Sequence, residues 1–544
     1  MRAAAPLVVL SVALTSQLLC AQTHLTFQRD VAPIIFGVCT PCHHVGGSAP
    51  FPLASYQDVS KHRRQITNVT RTRFMPPWLP HSSGEFSDEL RLTDTQIQTI
   101  AKWVEEGIPP GDLEKAVPPP PAATGWTLGT PDAVVQAAKP FEVPAAGPDV
   151  FWNFVLSPRL SKTHYIRAIE IRPNNASLIH HANIIVDRMG TIKEGFPDME
   201  VTVPRNPLDF DGHFLFFKPG MTVATEPDGF AWRLDPSTNL ILNTHMQPSG
   251  RAATEQPTIA LYFTDRPPTH FPYLLQLEND EALDIPPGAQ DFVVSDHLKL
   301  PIDTEVLAIY PHAHNLGKVL DAFATLPDGT RKWLIRIPNW DPHWQSVYRY
   351  RSPLMLPAET LITMRYHYDN SSRNRRNPNF PPKRVQSGNQ ASDEMAHLWL
   401  QVIPKSPGES RRLYVEAWAR HKLDKNPSDY AANLTLGSLA LSRFDALSAL
   451  KPLLSATRQN PGDAVAHNLY GTALAATGRN TEAGEQFQIA LRLKPGFTNA
   501  RFNLAHALAN AGKRDEAVQN LQQILKEYPS DPAAGAFLNQ LSTN

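Results

Sequence analysis

Cys39 and Cys42, in the stretch CTPCHHVGG, stand three positions apart with His43 directly after them. Such a trio can hold a structural zinc, run a dithiol redox cycle, or carry a covalently attached haem. A zinc ribbon requires a second ligand pair, and the third and last cysteine, Cys20, lies in an apolar N-terminal stretch. A thioredoxin-like dithiol belongs beside a βαβ pattern, and the flanks FQRDVAPIIFGV and SAPFPLASY show no such alternation. The remaining reading is haem attachment, with thioethers at Cys39 and Cys42 and His43 as the proximal iron ligand. Met75, in RFMPPWLP, offers a thioether as sixth ligand, with His62 and His81 as alternatives.

A second group lies in the middle of the chain. His312 and His314 in YPHAHNLGK are two residues apart, so on a strand they share a face and can grip one ion. Met395 in SDEMAHLW adds a soft donor. Two imidazoles with a thioether suit copper, Cu(I) above all, better than zinc and far better than calcium or magnesium. His180 and His181 in LIHHANIIVD pose the opposite problem. Neighbours on a regular strand face opposite ways, so both reach one ion only at a bulge or a strand end. His245 in LNTHMQ completes a three-histidine set where the strands are neighbours. His213, His343 and His367 sit among aromatics and read as hydrogen-bonded core or surface histidines, whereas His397 shares a strand face with Met395 and is placed to line a substrate cleft.

The elements that must position these residues follow from composition and pattern. The chain has 544 residues, 42% hydrophobic, a net charge of −1 and 51 prolines. That length implies several domains, the charge gives no nucleic-acid footprint, and the prolines favour turns and sheet-rich sections. Residues 1–21 read as a signal peptide, with basic Arg2, an apolar run to Leu19 and small Ala21. Lipidation at Cys20 and an uncleaved anchor are the alternatives. No later run is long enough to span a membrane. Export to a bacterial periplasm or the extracellular space follows, and the few cysteines leave no disulfide framework once two carry haem.

The fold class expected is therefore multidomain. Residues 22–115 form a small α-helical haem domain, closed by a helix in which Ile97, Ile100, Ala101 and Val104 keep helical spacing and which Pro109 stops. Residues 116–149 read as a Pro-rich linker. Short apolar strands parted by turns then predict two β-sandwiches, over 150–275 and 276–405. In residues 420–544, Pro427, Pro461, Pro495 and Pro529 recur every 34 residues, the period of the tetratricopeptide repeat. Gly471, Gly478, Ala483, Phe487, Ala490 and Pro495 stand where two packed helices need small, aromatic and helix-ending residues. Such arrays bind other proteins, so a protein partner is expected there.

Taken in order, HH, TH at a strand end, HxH followed by LGK, and DEM before an apolar run resemble the copper type II, ascorbate-dependent monooxygenases, the family of peptidylglycine α-hydroxylating and dopamine β-monooxygenases. The resemblance covers residues 150–405. It implies two sandwiches, each presenting one mononuclear copper across a solvent-filled cleft. His180, His181 and His245 would bind the electron-storing copper, and His312, His314 and Met395 the copper that meets O2. The haem segment, with APFPLASY and MPPW, also resembles c-type domains fused to such modules in exported bacterial proteins. Two departures stand out. The carboxylate clamp of the peptide-amidating branch is replaced by Tyr310, His397 and Trp399, and the family disulfides are missing.

The function expected is copper-dependent hydroxylation of a C–H bond in a small-molecule substrate by O2. Electrons would come through the haem from an ascorbate-like reductant or an electron-transfer protein. The alternative is a non-catalytic haem and copper electron-transfer or copper-handling protein with a docking module.

Overall fold

The computed structural model describes residues 24–543, except 48, 88, 116, 117, 120–124, 189–191, 193, 196–211, 219, 220, 222, 224, 389 and 406–409. The expected signal segment, Cys20 included, lies outside the described residues. The chain divides into two compact units, one of residues 1–78 with 90–124, the other of residues 79–89 with 125–544.

The smaller unit is helical: a short π-helical turn (Phe27–Val31), then α1 (Ala32–Val38), α2 (Tyr56–Arg71) and α3 (Asp94–Glu105). Phe27, Ile35, Val59, Ile66, Ile100 and Trp103 form its core. Thr93 and Gln96 close a capping box at the start of α3, satisfying two otherwise orphaned N–H groups. Residues 22–115 are nonetheless not one body. Residues 79–89 pack within the larger unit, where Phe86 is buried and bridges to Tyr350. Backbone hydrogen bonds to Arg336, Arg349 and Arg351 hold the segment there together with that ring.

The first β-rich region carries β1 (Ala133–Gln136), β2 (Phe141–Val143), β3 (Val150–Leu156), β4 (His164–Arg172), β5 (Ile179–Asp187), β6 (Phe216–Phe217), β7 (Trp232–Leu234), β8 (Asn239–Met246), β9 (Ala253–Glu255) and β10 (Thr258–Thr264). Two four-stranded sheets, β1-β10-β4-β7 and β3-β8-β5-β6, enclose Phe154, Ile166, Trp232, Leu240 and Leu261. The stretch expected to be linker thus contributes β1, paired with β10, and β2, paired with β9. The apolar positions of AVVQAAKPFEV were hidden by the neighbouring proline run, and they find sheet edges to complete.

The second region carries β11 (Tyr273–Glu278), β12 (Asp284–Ile285), β13 (Phe292–Lys299), β14 (Thr304–His312), β15 (Gly317–Thr325), β16 (Arg331–Ile337), β17 (Tyr348–Leu356), β18 (Leu361–Tyr368), β19 (Val385–Gln386) and β20 (His397–Pro404). Its sheets run β11-β20-β14-β17 and β13-β18-β15-β16, all antiparallel. Strand β13 alternates buried and exposed residues, the signature of a sheet with one face on a core.

Eight helices complete the described chain: α4 (Ser410–Lys425), α5 (Tyr430–Ser442), α6 (Ala446–Gln459), α7 (Ala464–Ala476), α8 (Asn480–Leu493), α9 (Thr498–Asn510), α10 (Arg514–Glu527) and α11 (Pro532–Thr543). Each of the four periodic prolines lies three residues before α5, α7, α9 or α11, in the turn that starts a repeat. The solenoid is anchored. Lys422 of α4 pairs with Glu278, and His421 and Lys425 reach Asp296 at 3.0 Å each. No helix among the described residues is long and apolar enough to cross a membrane.

Candidate metal centres

His180 and His181 lie on β5 and His245 opposite them on β8. The β5–β8 register breaks between Ile179 and His181, so the strand carries the irregularity that adjacent histidines need to face one point. His180 Nδ1 stands 3.2 Å from His181 Nδ1 and 3.3 Å from His245 Nδ1. A metal about 2.0–2.1 Å from each of two nitrogens in tetrahedral geometry sets them about 3.3–3.4 Å apart. The spacing therefore fits a single ion. Among the described residues this is the one group of three His, Cys, Asp or Glu side chains whose ligand atoms all lie within 4.8 Å of one another.

The surroundings suit that task. His245 Nε2 donates to Asp149 Oδ2 at 2.7 Å, which leaves Nδ1 as the lone-pair nitrogen, the usual arrangement for a metal-bound imidazole. Burial pushes His180 down to about 3, helped by the nearby His245 and His343, and carries His181 well below its ordinary value. Both rings are thus neutral, the form that ligates. His343, expected to be an ordinary core or surface histidine, packs edge-on to His180 with ring centroids 5.0 Å apart, its Nδ1 2.9 Å from Asp341. His213 pairs with Glu226 and His367 with Asp291.

The second histidine pair is built differently from the strand picture. β14 ends at His312, and His314 lies beyond it. Their ring centroids are 5.2 Å apart at 85°. The buried carboxylate of Glu394 does what the pleat would have done, accepting from the backbone N–H of His314 (2.8 Å), Leu316 (2.6 Å) and Met395 (3.2 Å). His314 Nδ1 donates to the Asp393 carbonyl at 3.0 Å and His312 Nδ1 to Gln345 Oε1 at 2.7 Å. Both rings keep Nε2 for an ion. Burial pushes His312 down to about 3, with His314 and His397 adding to it. Met395 is partly exposed, and its carbonyl accepts from the Tyr368 hydroxyl at 2.8 Å.

Gln345 joins the two groups. Its Oε1 also accepts from the Tyr310 hydroxyl at 2.9 Å, and its Nε2 lies 3.2 Å from His181 Nδ1. Phe216 of the first sandwich packs on Tyr310 of the second, their ring centroids 5.6 Å apart, and Tyr310 stacks on Trp399. Ala308 and Val347 close the same buried cluster. Side chains, rather than a solvent-filled cleft, thus separate the two groups along this line. Asp149, Gln345 and Glu394 escaped the sequence reading. Only Glu394 left a signal, as the residue before Met395.

In the helical unit Cys39 ends α1, with Cys42 and His43 in the turn after it, and neither cysteine is in a disulfide. His43 Nδ1 donates to the Phe51 carbonyl at 2.9 Å, leaving Nε2 as its ligand atom. The His62 ring stacks on Phe51 at 3.8 Å, and Met75 follows α2, its backbone N–H on the Val69 carbonyl. His43 Nε2 and the two thiols are the donors that a thioether-linked haem would use. His81 belongs to the larger unit, its backbone N–H donating to the Arg336 carbonyl.

No curated protein matches the chain. Tetratricopeptide repeat models match residues 434–496 and 474–541. Among solved structures, MamA is 17% identical over 25% of this chain and 83% of its own, with a TM-score of 0.23. YrrB, described as a TPR protein with an unusual peptide-binding site, is 23% identical over 23% of this chain and 63% of its own, with a TM-score of 0.22. The Arabidopsis OM64 TPR domain is 15% identical over 21% and 95%, with a TM-score of 0.21. The C-terminal region of this β-rich, multidomain chain is a tetratricopeptide-repeat array.

Proposed function

We propose that the chain is an exported copper-dependent monooxygenase with a built-in c-type haem and a repeat module that docks a partner protein. The observation that carries this is the convergence of three imidazole nitrogens, two of the spacings being 3.2 and 3.3 Å, with a carboxylate behind His245. Copper at the two sites would supply one-electron redox chemistry and O2 activation. His180, His181 and His245 hold the electron-storing ion, and Asp149 fixes the tautomer of His245. His312 and His314 present Nε2 because Gln345 and the Asp393 carbonyl engage their other nitrogens. Met395 adds the thioether, and Glu394 ties the segment before β20 to the His314 loop.

Cys39, Cys42, His43 and Met75 would hold the haem, which would supply one-electron transfer from an ascorbate-like reductant or an electron-transfer protein. Tyr310, His397 and Trp399 offer no bidentate cation, and an anion in a dry site needs one. The substrate is therefore uncharged and carries an activated C–H bond. A glycine-extended peptide is not turned over.

The test is a metal count with O2 uptake. Two coppers and one covalent haem per chain, with O2 consumed in step with a hydroxylated product, support the reading. Met395→Ile nearly keeps size and apolarity; full activity in this variant counts against it. A second reading, a redox relay without catalysis, is favoured by the packing of Phe216, Tyr310 and Gln345 between the sites. Reduction of one site through the other with no O2 uptake would select it.

A further inference from the structure

We infer that the β18–β19 loop, residues 369–384, seats this protein on an anionic lipid surface, with Phe380 as the apolar tip and Arg373, Arg375 and Lys383 as the headgroup contacts. The inference is independent of the metal reading. Phe380 is 88% exposed. Arg373, Arg375 and Lys383, on either side of it in sequence, are exposed and have no ion-pair partner among the described residues. Arg376 and Arg384 of the same loop are instead paired, with Asp341 at 3.8 Å and with Asp284 at 2.6 Å. The loop thus keeps three uncompensated charges of one sign beside an exposed ring. Apolar area and cations together are what hold a protein at an anionic headgroup layer.

Side-chain amides hold the loop in shape. Asn370, which has no exposed surface, donates from Nδ2 to the Lys383 carbonyl at 2.7 Å and to the Ile285 carbonyl at 3.1 Å, and its Oδ1 accepts from Asn377 Nδ2 at 2.9 Å. Asn374 Nδ2 donates to the Asp369 and Asn315 carbonyls at 2.8 and 3.2 Å. Both ends are fastened, so docking loses little ordering entropy. The tip reads PNFPP, residues 378–382, in which only Asn379 and Phe380 carry a backbone N–H, and Asn379 donates its own to Asn377 Oδ1 at 3.0 Å. Few donors are left to desolvate when the tip enters a headgroup layer, where an unsatisfied N–H is costly. A protein interface needs matched surface over roughly 800 Å² per partner. One exposed ring among cations needs no matched shape in a fluid lipid layer.

The test is co-sedimentation of the chain, recovered after export, with phosphatidylcholine vesicles carrying about 30% phosphatidylglycerol. Every form has the same N-terminus, so differences between them belong to the loop. Binding that falls roughly 100-fold with Arg373→Gln, Arg375→Gln and Lys383→Gln together, about fivefold for each cation, and roughly tenfold or more with Phe380→Ser supports the inference. Vesicles of phosphatidylcholine alone remove the opposing charge without touching the protein, and the parent should bind them as weakly as the triple variant binds the anionic ones. Equal binding of the parent to both vesicle types, binding to neither, or loss with the cations but not with Phe380→Ser overturns the inference. Retention on immobilised polyglutamate without vesicle binding also overturns it and assigns the loop to an acidic protein.

Discussion

Gln345 Oε1 lies 2.7 Å from His312 Nδ1, and the amide nitrogen of the same side chain lies 3.2 Å from His181 Nδ1. One buried amide thus lies between the two histidine groups and orients the His312 ring. Gln345→Ala leaves the Tyr310 hydroxyl and the His312 N–H without their acceptor, each costing about 1–3 kcal/mol. The expected result is a lower melting temperature and a roughly 10- to 100-fold loss of copper affinity at the His312–His314 site. Calorimetry and copper titration read both effects. Unchanged affinity would show that Gln345 is packing and nothing more.

Glu394 gives a sharper comparison. Its two oxygens accept from the N–H groups of His314, Leu316 and Met395, and it has no exposed surface. Burial pushes Glu394 up to about 8 against the pull of these N–H groups, so above that pH it is an ionised acceptor. There Glu394→Gln, which turns one acceptor into a donor facing donors, is expected to cost about as much as Glu394→Ala, roughly 2–4 kcal/mol. A glutamine variant as stable as the parent would mean that one oxygen suffices.

The proposed haem ligands divide by chemistry. Cys39→Ala with Cys42→Ala removes both thioether sulfurs, and the denatured protein is then expected to release all haem into acid-acetone. Met75→Ala keeps covalent haem but lowers its reduction potential through loss of the thioether. Identical spectra and potentials for the parent and the Met75 variant would leave Met75 as a packing residue.

Much of this arrangement was legible in the sequence, for reasons tied to period and spacing. The 34-residue proline spacing marks the turns before α5, α7, α9 and α11 because a repeat must restart its helix pair at the same place. The alternating strands were visible because each has one face on a core. The neighbours His180 and His181 required a bulge, and β5 has one. Gln345 and Asp149 left no signal, since each acts on a histidine distant in sequence and only the folded sheets bring them close. β1 and β2 went unseen because an edge strand that completes another sheet needs few apolar residues of its own. The detour of residues 79–89 is held by the buried ring of Phe86 and by backbone hydrogen bonds to Arg336, Arg349 and Arg351, and neither a single aromatic nor a backbone bond carries a period.

Acid should loosen the join between the second sandwich and α4. Burial pushes Asp296 upward, but its hydrogen bond to His421 and the charges of His421 and Lys425 outweigh that, leaving its carboxyl below the ordinary value. A carboxyl lowered on folding stabilises above its unfolded pKa, about 3.9, and that contribution is lost as the pH falls below it. Asp296→Ala is expected to cost about 3 kcal/mol at neutral pH by stranding its partners. Scanning calorimetry from pH 5 to pH 2 should show the parent losing stability more steeply than the variant. Parallel curves would remove Asp296 as the cause.

Two glycines of the solenoid, in helices packed side by side, should respond in opposite ways to alanine. A Cβ on Gly471 of α7 would meet the Phe487 ring at 2.7 Å, and Phe487 is 1% exposed, with no room to retreat. Overpacking of this kind costs about 1–3 kcal/mol, more than the gain of up to about 1 kcal/mol from replacing a helical glycine. A Cβ on Gly484 of α8 would meet only Leu504 Cδ1 at 3.7 Å, an ordinary contact, so the propensity gain stands. Gly471→Ala should therefore lower the helical unfolding transition, and Gly484→Ala should raise it by several tenths of a kcal/mol or more. Urea denaturation followed by far-UV circular dichroism reads both, because the helical signal reports mainly on the repeats. If both variants move the same way, the fit between Gly471 and Phe487 does not set the spacing of α7 and α8.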